Sequence, residues 1–272
     1  IMSKKIILIT GASSGMGKVS AHELIKEGHI VYCAARSVNK MKGLEQAGGK
    51  ILAMDVSKPE SLKTGVDRII KEQDRIDVLW NNAGYGLYGP VEQVAIQKAK
   101  YQFDVNLFGL AQLTQLVLPH MRKRKSGLII NTSSMGGKIY TPLGAWYHAT
   151  KHAVEGFSDC LRLELKEFGI NVVVLEPGLI ETGFAAEVEN NFPKETQEGP
   201  YQRIVKALLK ASTDGSMKGS DPMVIARTIK KIVNARNPKT RYLVGKMAKM
   251  LIGMRKLFGD KGYDKIIMSQ IK

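Results

Sequence analysis

Tyr147 and Lys151 stand four residues apart in AWYHATKH, a segment that otherwise reads as the start of a helix. On a helix, positions i and i+4 share a face, with Cβ atoms about 5–6 Å apart. An ammonium beside a phenol is not a usual stabilising device. In a lysine-rich chain it can be a chance surface pair, or it can make a tyrosine work as an acid or base near neutral pH. A free phenol titrates near pH 10. A unit charge about 4 Å away, across an effective dielectric of about 20, is worth about 4 kcal/mol. At about 1.36 kcal/mol per pH unit, that would draw the phenol down by as much as about three.

A second constellation lies upstream. TGASSGMG (10–17) follows a β-branched run and opens a helical pattern, with glycines at G-x-x-x-G-x-G spacing. Such a turn lets backbone N–H groups approach a phosphate at the positive end of a helix. Its place after the first strand of a βαβ unit makes it a dinucleotide-binding signal. The next strand ends Ala34-Ala35-Arg36-Ser37. An acid near this point holds the ribose hydroxyls of NAD, whereas an arginine accommodates the 2′-phosphate of NADP. Arg36 is present and no acid is, so NADP(H) is expected, with NAD(H) less favoured.

These groups need a frame. Strand candidates are KIILIT (5–10), HIVYCAAR (29–36), KILAMDV (50–56), IDVLWNNAG (76–84), GLIINTSS (127–134), NVVVLEPG (171–178) and TRYLVG (240–245). Several are apolar on both faces, as in a parallel sheet covered on both sides. Helical patterns alternate with them. Phe103, Leu107, Leu110, Leu113, Val117 and Met121 recur at helical spacing. Ser57 with Glu60 reads as a capping box, Asp221-Pro222 as an N-cap followed by proline at the first position, and Gly28 and Gly169 as helix ends. The alternation predicts βαβ units in one doubly wound α/β domain over residues 2–272. Residues 181–221 lack strand signals and read as a long irregular insertion of the kind that forms lids.

The chain has 272 residues, 44% hydrophobic and 24% charged, an ordinary globular composition. No apolar run approaches the roughly 18 residues of a membrane span, and no signal peptide is expected before the first strand. Cys33 and Cys160 read as small buried hydrophobes in a reducing compartment, with neither disulfide nor metal spacing. The net charge is +16. Residues 201–272 carry 17 Lys and Arg against 4 Asp and Glu, so +13 sits there and +3 in the rest. No basic module interleaved with aromatics accompanies it, so a solvated face is expected and nucleic-acid binding is not. Residues 246–272 form a basic amphipathic pattern, with Met247, Met250, Leu251, Met254, Leu257 and Phe258 on its apolar stripe. This segment is expected to dock on the domain and cover or border the pocket rather than attach to a membrane. His148 points about 100° away from Tyr147 around the helix and reads as a packing histidine. His152 reads as the start of a buried helix face.

Taken in order, the motifs resemble the short-chain dehydrogenase/reductase family. They are TGASSGMG (10–17), Asp55 in MDV, NNAG (81–84), Asn106 in DVNLFG, NTSS (131–134), YHATK (147–151) and PGLIET (177–182). The resemblance runs from about residue 5 to 182. LFGLAQLTQLVLPHM and the stretch from SSMGG to LRLEL are further similar to the hydroxysteroid and retinol dehydrogenase-like branch. Trp80 departs from the family, which commonly has a smaller aliphatic there.

The resemblance implies a Rossmann-type seven-stranded parallel sheet of order 3-2-1-4-5-6-7. It also implies a carbonyl–alcohol oxidoreductase using NADP(H), with Ser134, Tyr147, Lys151 and Asn106 catalytic. Family spacing selects Ser134 over Ser133. Tyr147 would be the general acid/base, Ser134 would orient the substrate oxygen, Lys151 would reach the nicotinamide ribose, and Asn106 would hold a relay water. Gly11, Ser13, Ser14, Gly15, Met16 and Gly17 would take the pyrophosphate. Arg36 would take the 2′-phosphate, and Asp55 and Val56 would flank the adenine. Asn82, Ala83 and Gly84 would complete the cofactor wall, with Pro177, Gly178, Ile180 and Thr182 at the carboxamide. Tyr85, Tyr88, Met135, Leu143, Phe184 and Phe192 are candidates for an apolar substrate pocket. A cytoplasmic homodimer or homotetramer with no metal is expected. The alternative is a regulator that binds NADP(H) without turnover, against which the intact Ser–Tyr–Lys–Asn set argues.

Overall fold

Seven strands fall within or overlap the seven expected segments: β1 (Ile6–Thr10), β2 (Ile30–Ala35), β3 (Lys50–Ala53), β4 (Val78–Asn81), β5 (Gly127–Thr132), β6 (Ile170–Pro177) and β7 (Arg241–Val244). All pair in parallel, in the order β3-β2-β1-β4-β5-β6-β7. The computed structural model describes residues 4–183, 199–213 and 218–271. Among them the α-helices are α1 (Gly15–Lys26), α2 (Lys42–Gln46), α3 (Pro59–Gln73), α4 (Ile96–Phe103), α5 (Gly109–Lys123), α6 (Ala145–Glu164), α7 (Gln202–Thr213), α8 (Met223–Asn234) and α9 (Ala248–Ser269).

The strand period of two sorts the core. Ile7, Ile9, Val31 and Cys33 face one side, where α1 and α8 cover them with Ala21, Leu24, Ile225, Ile229 and Ile232. Ile6, Leu8, Tyr32 and Leu79 face the other, against Leu62, Val66 and Ile69 of α3 and Leu113, Val117 and Met121 of α5. Each such fully buried aliphatic side chain contributes about 1.5–3 kcal/mol. Trp80 is wholly buried and donates its indole N–H to Thr132 Oγ1 at 2.9 Å, so the larger side chain is accommodated with its polar atom satisfied.

Several local expectations are revised. Ser57 does not cap α3. Its N–H and hydroxyl both turn back to Asp55 Oδ1, and Lys58 is the N-cap, ahead of Pro59. Asp221 Oδ1 accepts the Met223 N–H at 2.7 Å, but Pro222 rather than Asp221 occupies the cap position of α8. Gly28 follows the end of α1 and Gly169 ends the short 3-10 turn Lys166–Phe168 after α6, with φ of 86° and 66°. Cys33 is buried, but Cys160 is exposed, and so is His152; both fall on the outer face of α6. The 181–221 insertion is not irregular throughout. It contains α7, whose Ile204-Val205 and Leu208-Leu209 pairs recur every four residues.

α9 docks against β7 and the turn after β5, but the expected stripe divides. Ala248 and Tyr263 are buried, whereas Met250, Leu257 and Phe258 are exposed. No helix among the described residues is long and apolar enough to cross a membrane.

Candidate active site

The loops that carry the motifs leave the C-terminal edge of the sheet, where strand order reverses between β1 and β4. Ligands of open α/β sheets bind at such a crevice. Thr10, ending β1, accepts the N–H groups of Asn82 and Ala83 on its hydroxyl, each at 3.0 Å. Asn82 Nδ2 in turn donates to the carbonyls of Thr10 (3.0 Å) and Gly11 (3.3 Å). These bonds clamp the glycine turn to the loop after β4. Gly11 and Gly15 have φ of 68° and 49°, and a Cβ on Gly17 would collide with Gly11 O and lie 2.6 Å from Asn82 Nδ2. The turn delivers α1 with Ser14 at its cap and no side chain on its first N–H groups.

This arrangement fits a dinucleotide. The cradle is one that any Cβ would fill, the first turn of α1 holds no acid, and Asn82 Oδ1 is buried without a hydrogen-bond partner among the described residues. Further out, Arg36 is exposed at the end of β2 and donates to the Tyr101 hydroxyl at 3.2 Å. Asp55 lies beside it. Burial pushes its carboxyl up, but the Ser57 hydroxyl and N–H, with the charges of Arg36 and Lys58, hold it below the usual range. Val56 follows, half-buried.

On the other side of the switch point, a cavity of about 290 Å³ opens. Met16, Asn82, Gly84, Pro177, Gly178, Ile180 and Thr182 line it together with Ser134, Tyr147 and Lys151. Tyr85, Tyr88 and Met135 lie in the wall as expected. Leu143 does not. Its φ is 64°, and its carbonyl is tied to the Gly89 N–H at 2.8 Å, which holds a turn outside the cavity. Phe184 and Phe192 lie outside the described residues. Sequence reasoning missed Ile139, Leu179, Leu208 and Leu209 as wall residues. The Leu208-Leu209 pair at helical spacing was the available signal.

Tyr147 is buried. Its phenol is pushed up to about 12 by burial, with the hydrogen-bonded Ser134 hydroxyl working in the opposite direction. The lowered pKa expected from Lys151 is therefore not found. The Lys151 ammonium sits 5.9 Å from the ring centroid and gives a hydrogen bond to Thr132 O at 2.8 Å. It is itself desolvated, which brings it down to about 8 against a raising influence from Glu155. Burial raises the energy of phenolate more than the lysine lowers it. At neutral pH the pair is a phenol and an ammonium.

Ser134 points toward the phenol and also lies 3.4 Å from Pro177 O; it accepts the Gly136 N–H at 3.0 Å. Ser133 is buried and turned to Lys151 O. Asn106 lies in a π-helical turn, Asp104–Phe108, of the kind frequent at functional sites. Its Oδ1 accepts the Tyr85 N–H, and its Nδ2 donates to Tyr85 O and Thr150 Oγ1. His148 is buried and lines the cavity. The Thr141 N–H donates to its Nε2, so its Nδ1–H donates to Gly136 O at 2.9 Å. Burial drops it to about 4, and a neutral ring staples the loop after Ser134. The described residues contain no His/Cys/Asp/Glu cluster suited to a metal.

The ends of the 181–221 segment are tied together. Ile180 bridges Ser220, the Glu181 N–H bonds Ser220 O at 2.9 Å, and the Ser220 N–H bonds Leu179 O at 2.8 Å.

Comparison with known proteins agrees with this fold. Residues 5–192 match the family model described as short chain dehydrogenase. The curated 3-ketodihydrosphingosine reductase of Bacteroides thetaiotaomicron is 38% identical over 255 residues, covering 94% of this chain and 93% of that protein. A short-chain dehydrogenase from Streptomyces avermitilis has a TM-score of 0.82 at 29% identity over 98% of both chains. A serine dehydrogenase complexed with NADP+ (TM-score 0.77, 25% identity, 88% of this chain and 94% of that one) is also similar. So is a Brucella melitensis 3-ketoacyl-(acyl-carrier-protein) reductase complexed with NADH (TM-score 0.73, 25% identity, 88% and 96%).

Proposed function

Since this chain belongs to the short chain dehydrogenase family, we propose that it is an NADP(H)-dependent oxidoreductase interconverting a ketone and an alcohol on an apolar substrate. One observation carries the reading: Ser134, Tyr147 and Lys151 share one cavity with Met16 of the glycine turn and with Asn82, whose amide holds that turn. The cofactor supplies the hydride. Gly11, Ser13, Ser14, Gly15 and Gly17 would hold its pyrophosphate, and Arg36 its 2′-phosphate. Met16, Asn82, Ala83, Gly84, Pro177, Gly178, Ile180 and Thr182 would shape the remaining wall, with Asp55 and Val56 at the adenine.

The proton chemistry belongs to this chain. Tyr147, kept as a phenol at neutral pH, donates its proton to the substrate oxygen, in general acid catalysis. Ser134 donates a hydrogen bond to the same oxygen and orients it. Lys151 keeps a positive charge beside the phenol, which stabilises the phenolate left after transfer. Asn106 positions Tyr85 through both backbone groups and offers its second carbonyl lone pair to a relay water. His148, neutral, fixes the loop that presents Ser134.

Met16, Tyr85, Tyr88, Ile139, Leu179 and Leu208 surround the oxygen-binding corner with apolar surface, which suits a ketone on an aliphatic or ring framework. The Bacteroides relative, named for a 3-keto substrate, supports this class at least as well as the hydroxysteroid and retinol dehydrogenase-like branch does. The test is NADPH consumption against long-chain 3-ketones, including 3-ketodihydrosphingosine, alongside steroids, retinoids and quinones. Oxidation of NADPH by at least one apolar ketone, abolished in Tyr147→Phe, is the expected result. Tight NADPH binding with no turnover across the panel would turn the reading to a regulator.

A further inference from the structure

The last helix is not one rod. At Gly259 the backbone takes φ 62° and ψ −177°, so α9 bends into two legs that meet at a corner. The inner sides of both legs are committed. Ala248 and Tyr263 are buried, the Arg255 guanidinium donates to Lys138 O and lies 4.7 Å from the Tyr140 ring, and the Tyr140 hydroxyl donates to Asp264 at 2.9 Å.

The outer side is exposed among the described residues. Leu257, at the tip of the corner, is 77% exposed, and Phe258 beside it 54%. Met250, one heptad before Leu257 and on the same face, is 49% exposed. The same segment carries exposed Lys246, Lys249 and Lys256 before the corner and Lys261 and Lys265 after it. None of these lysines is in an ion pair among the described residues, and the acids of this segment are turned to Arg255 and Tyr140. An exposed apolar corner on a segment rich in lysines outside any ion pair among the described residues is thus held out by a docked base.

Charge decides what covers it. A second copy set face to face would bring five lysines against five like charges, which costs binding across a two-fold interface. A fluid anionic bilayer accommodates any tip, attracts flexible lysines to its phosphates, and takes leucine and phenylalanine into the headgroup–acyl boundary. We propose that this corner is a peripheral docking surface for an anionic membrane, with Leu257 and Phe258 entering the boundary and Lys246, Lys249, Lys256, Lys261 and Lys265 on lipid phosphates.

The test is co-sedimentation of the full chain with phosphatidylcholine vesicles, and with vesicles containing about one third phosphatidylserine, at about 0.05 and 0.15 M salt. Binding to the anionic vesicles alone, weakening as salt rises, is expected. The double variant L257S/F258S and the pair K256E/K261E should each reduce partitioning about tenfold or more. Their melting temperature and NADPH affinity should be unchanged, because all four side chains are exposed. Leu163→Ser, at an exposed leucine on α6, should leave vesicle binding intact. No binding to anionic vesicles overturns the proposal, as does binding that survives L257S/F258S. A dimer in solution that L257S/F258S converts to monomer, with no vesicle binding, assigns the face to a second copy instead.

Discussion

Replacing Lys151 by methionine should stabilise the cofactor-free protein while abolishing turnover. The ammonium is buried and stands at about 8 instead of 10.5, with desolvation the leading cause. At pH 7 both folded and unfolded chains hold this proton, so the whole difference is a penalty on the fold, about 3 kcal/mol at about 1.36 kcal/mol per pH unit. Methionine removes that penalty and keeps the length of the stem. Against it stands the lost hydrogen bond to Thr132 O, worth about 1–2 kcal/mol including the stranded carbonyl. The net gain is about 1–2 kcal/mol, or about 2–6 °C in melting temperature. The pH dependence isolates the cause. Between pH 8 and 10.5 the unfolded chain binds more protons at this lysine than the folded one, so wild-type stability rises with pH across that window. By pH 10 the penalty has shrunk to about 1 kcal/mol and the advantage of Lys151→Met disappears. Calorimetry of both proteins at pH 7 and pH 10 reads this directly. A Lys151→Met protein no more stable at pH 7, or a difference that stays constant to pH 10, refutes the reasoning.

Tyr147→Phe should lose more than about a thousandfold in turnover on any substrate found, with NADPH affinity by isothermal titration within about threefold of wild type, because only the proton donor is removed. NADPH should bind more tightly than NADH, and Arg36→Asp should narrow or reverse that gap; equal titrations for the two cofactors in the wild type would remove Arg36 from the site. Gly17→Ala places a methyl against Gly11 O and the Asn82 amide, both fixed by their own hydrogen bonds. Its NADPH affinity should fall by about a hundredfold or more, as separation of strand and helix by even an ångström breaks the phosphate cradle; an unchanged affinity would show that the cradle opens freely.

The sheet was legible because its strands are apolar on both faces and punctuated by glycine turns, a pattern written locally in the chain. The Tyr147–Lys151 pair was legible for the same reason, since helical spacing alone puts both on one face. The phenol's rise was not legible. It depends on how deeply α6 is pressed against β5 and on where the lysine sends its hydrogen bond, and both are long-range facts. Cys160 and His152 failed because a modest rotation of α6 decides which of its residues meet the sheet. Leu143 failed because its positive φ turns a plausible wall residue away. Leu208 and Leu209 reach the cavity only because the chain returns after the segment beyond Thr182, which no local pattern announces.

The bridge between Ile180 and Ser220 makes the segment it closes an exchangeable cassette. Its two ends leave the sheet side by side, held by the Glu181–Ser220 and Ser220–Leu179 backbone bonds and by the Lys246 N–H on Ser220 Oγ. None of Ser134, Tyr147, Lys151 or Asn106 lies between them. A chain of different length or composition can therefore be spliced in at this seam, each doubling of a loop costing only about 0.6 kcal/mol in closure entropy. The segment carries Leu208 and Leu209 of the cavity wall, whereas Tyr147 and Lys151 stay on α6 and Ser134 just after β5, so grafting the corresponding segment of a relative here is expected to change the wall without moving those three residues.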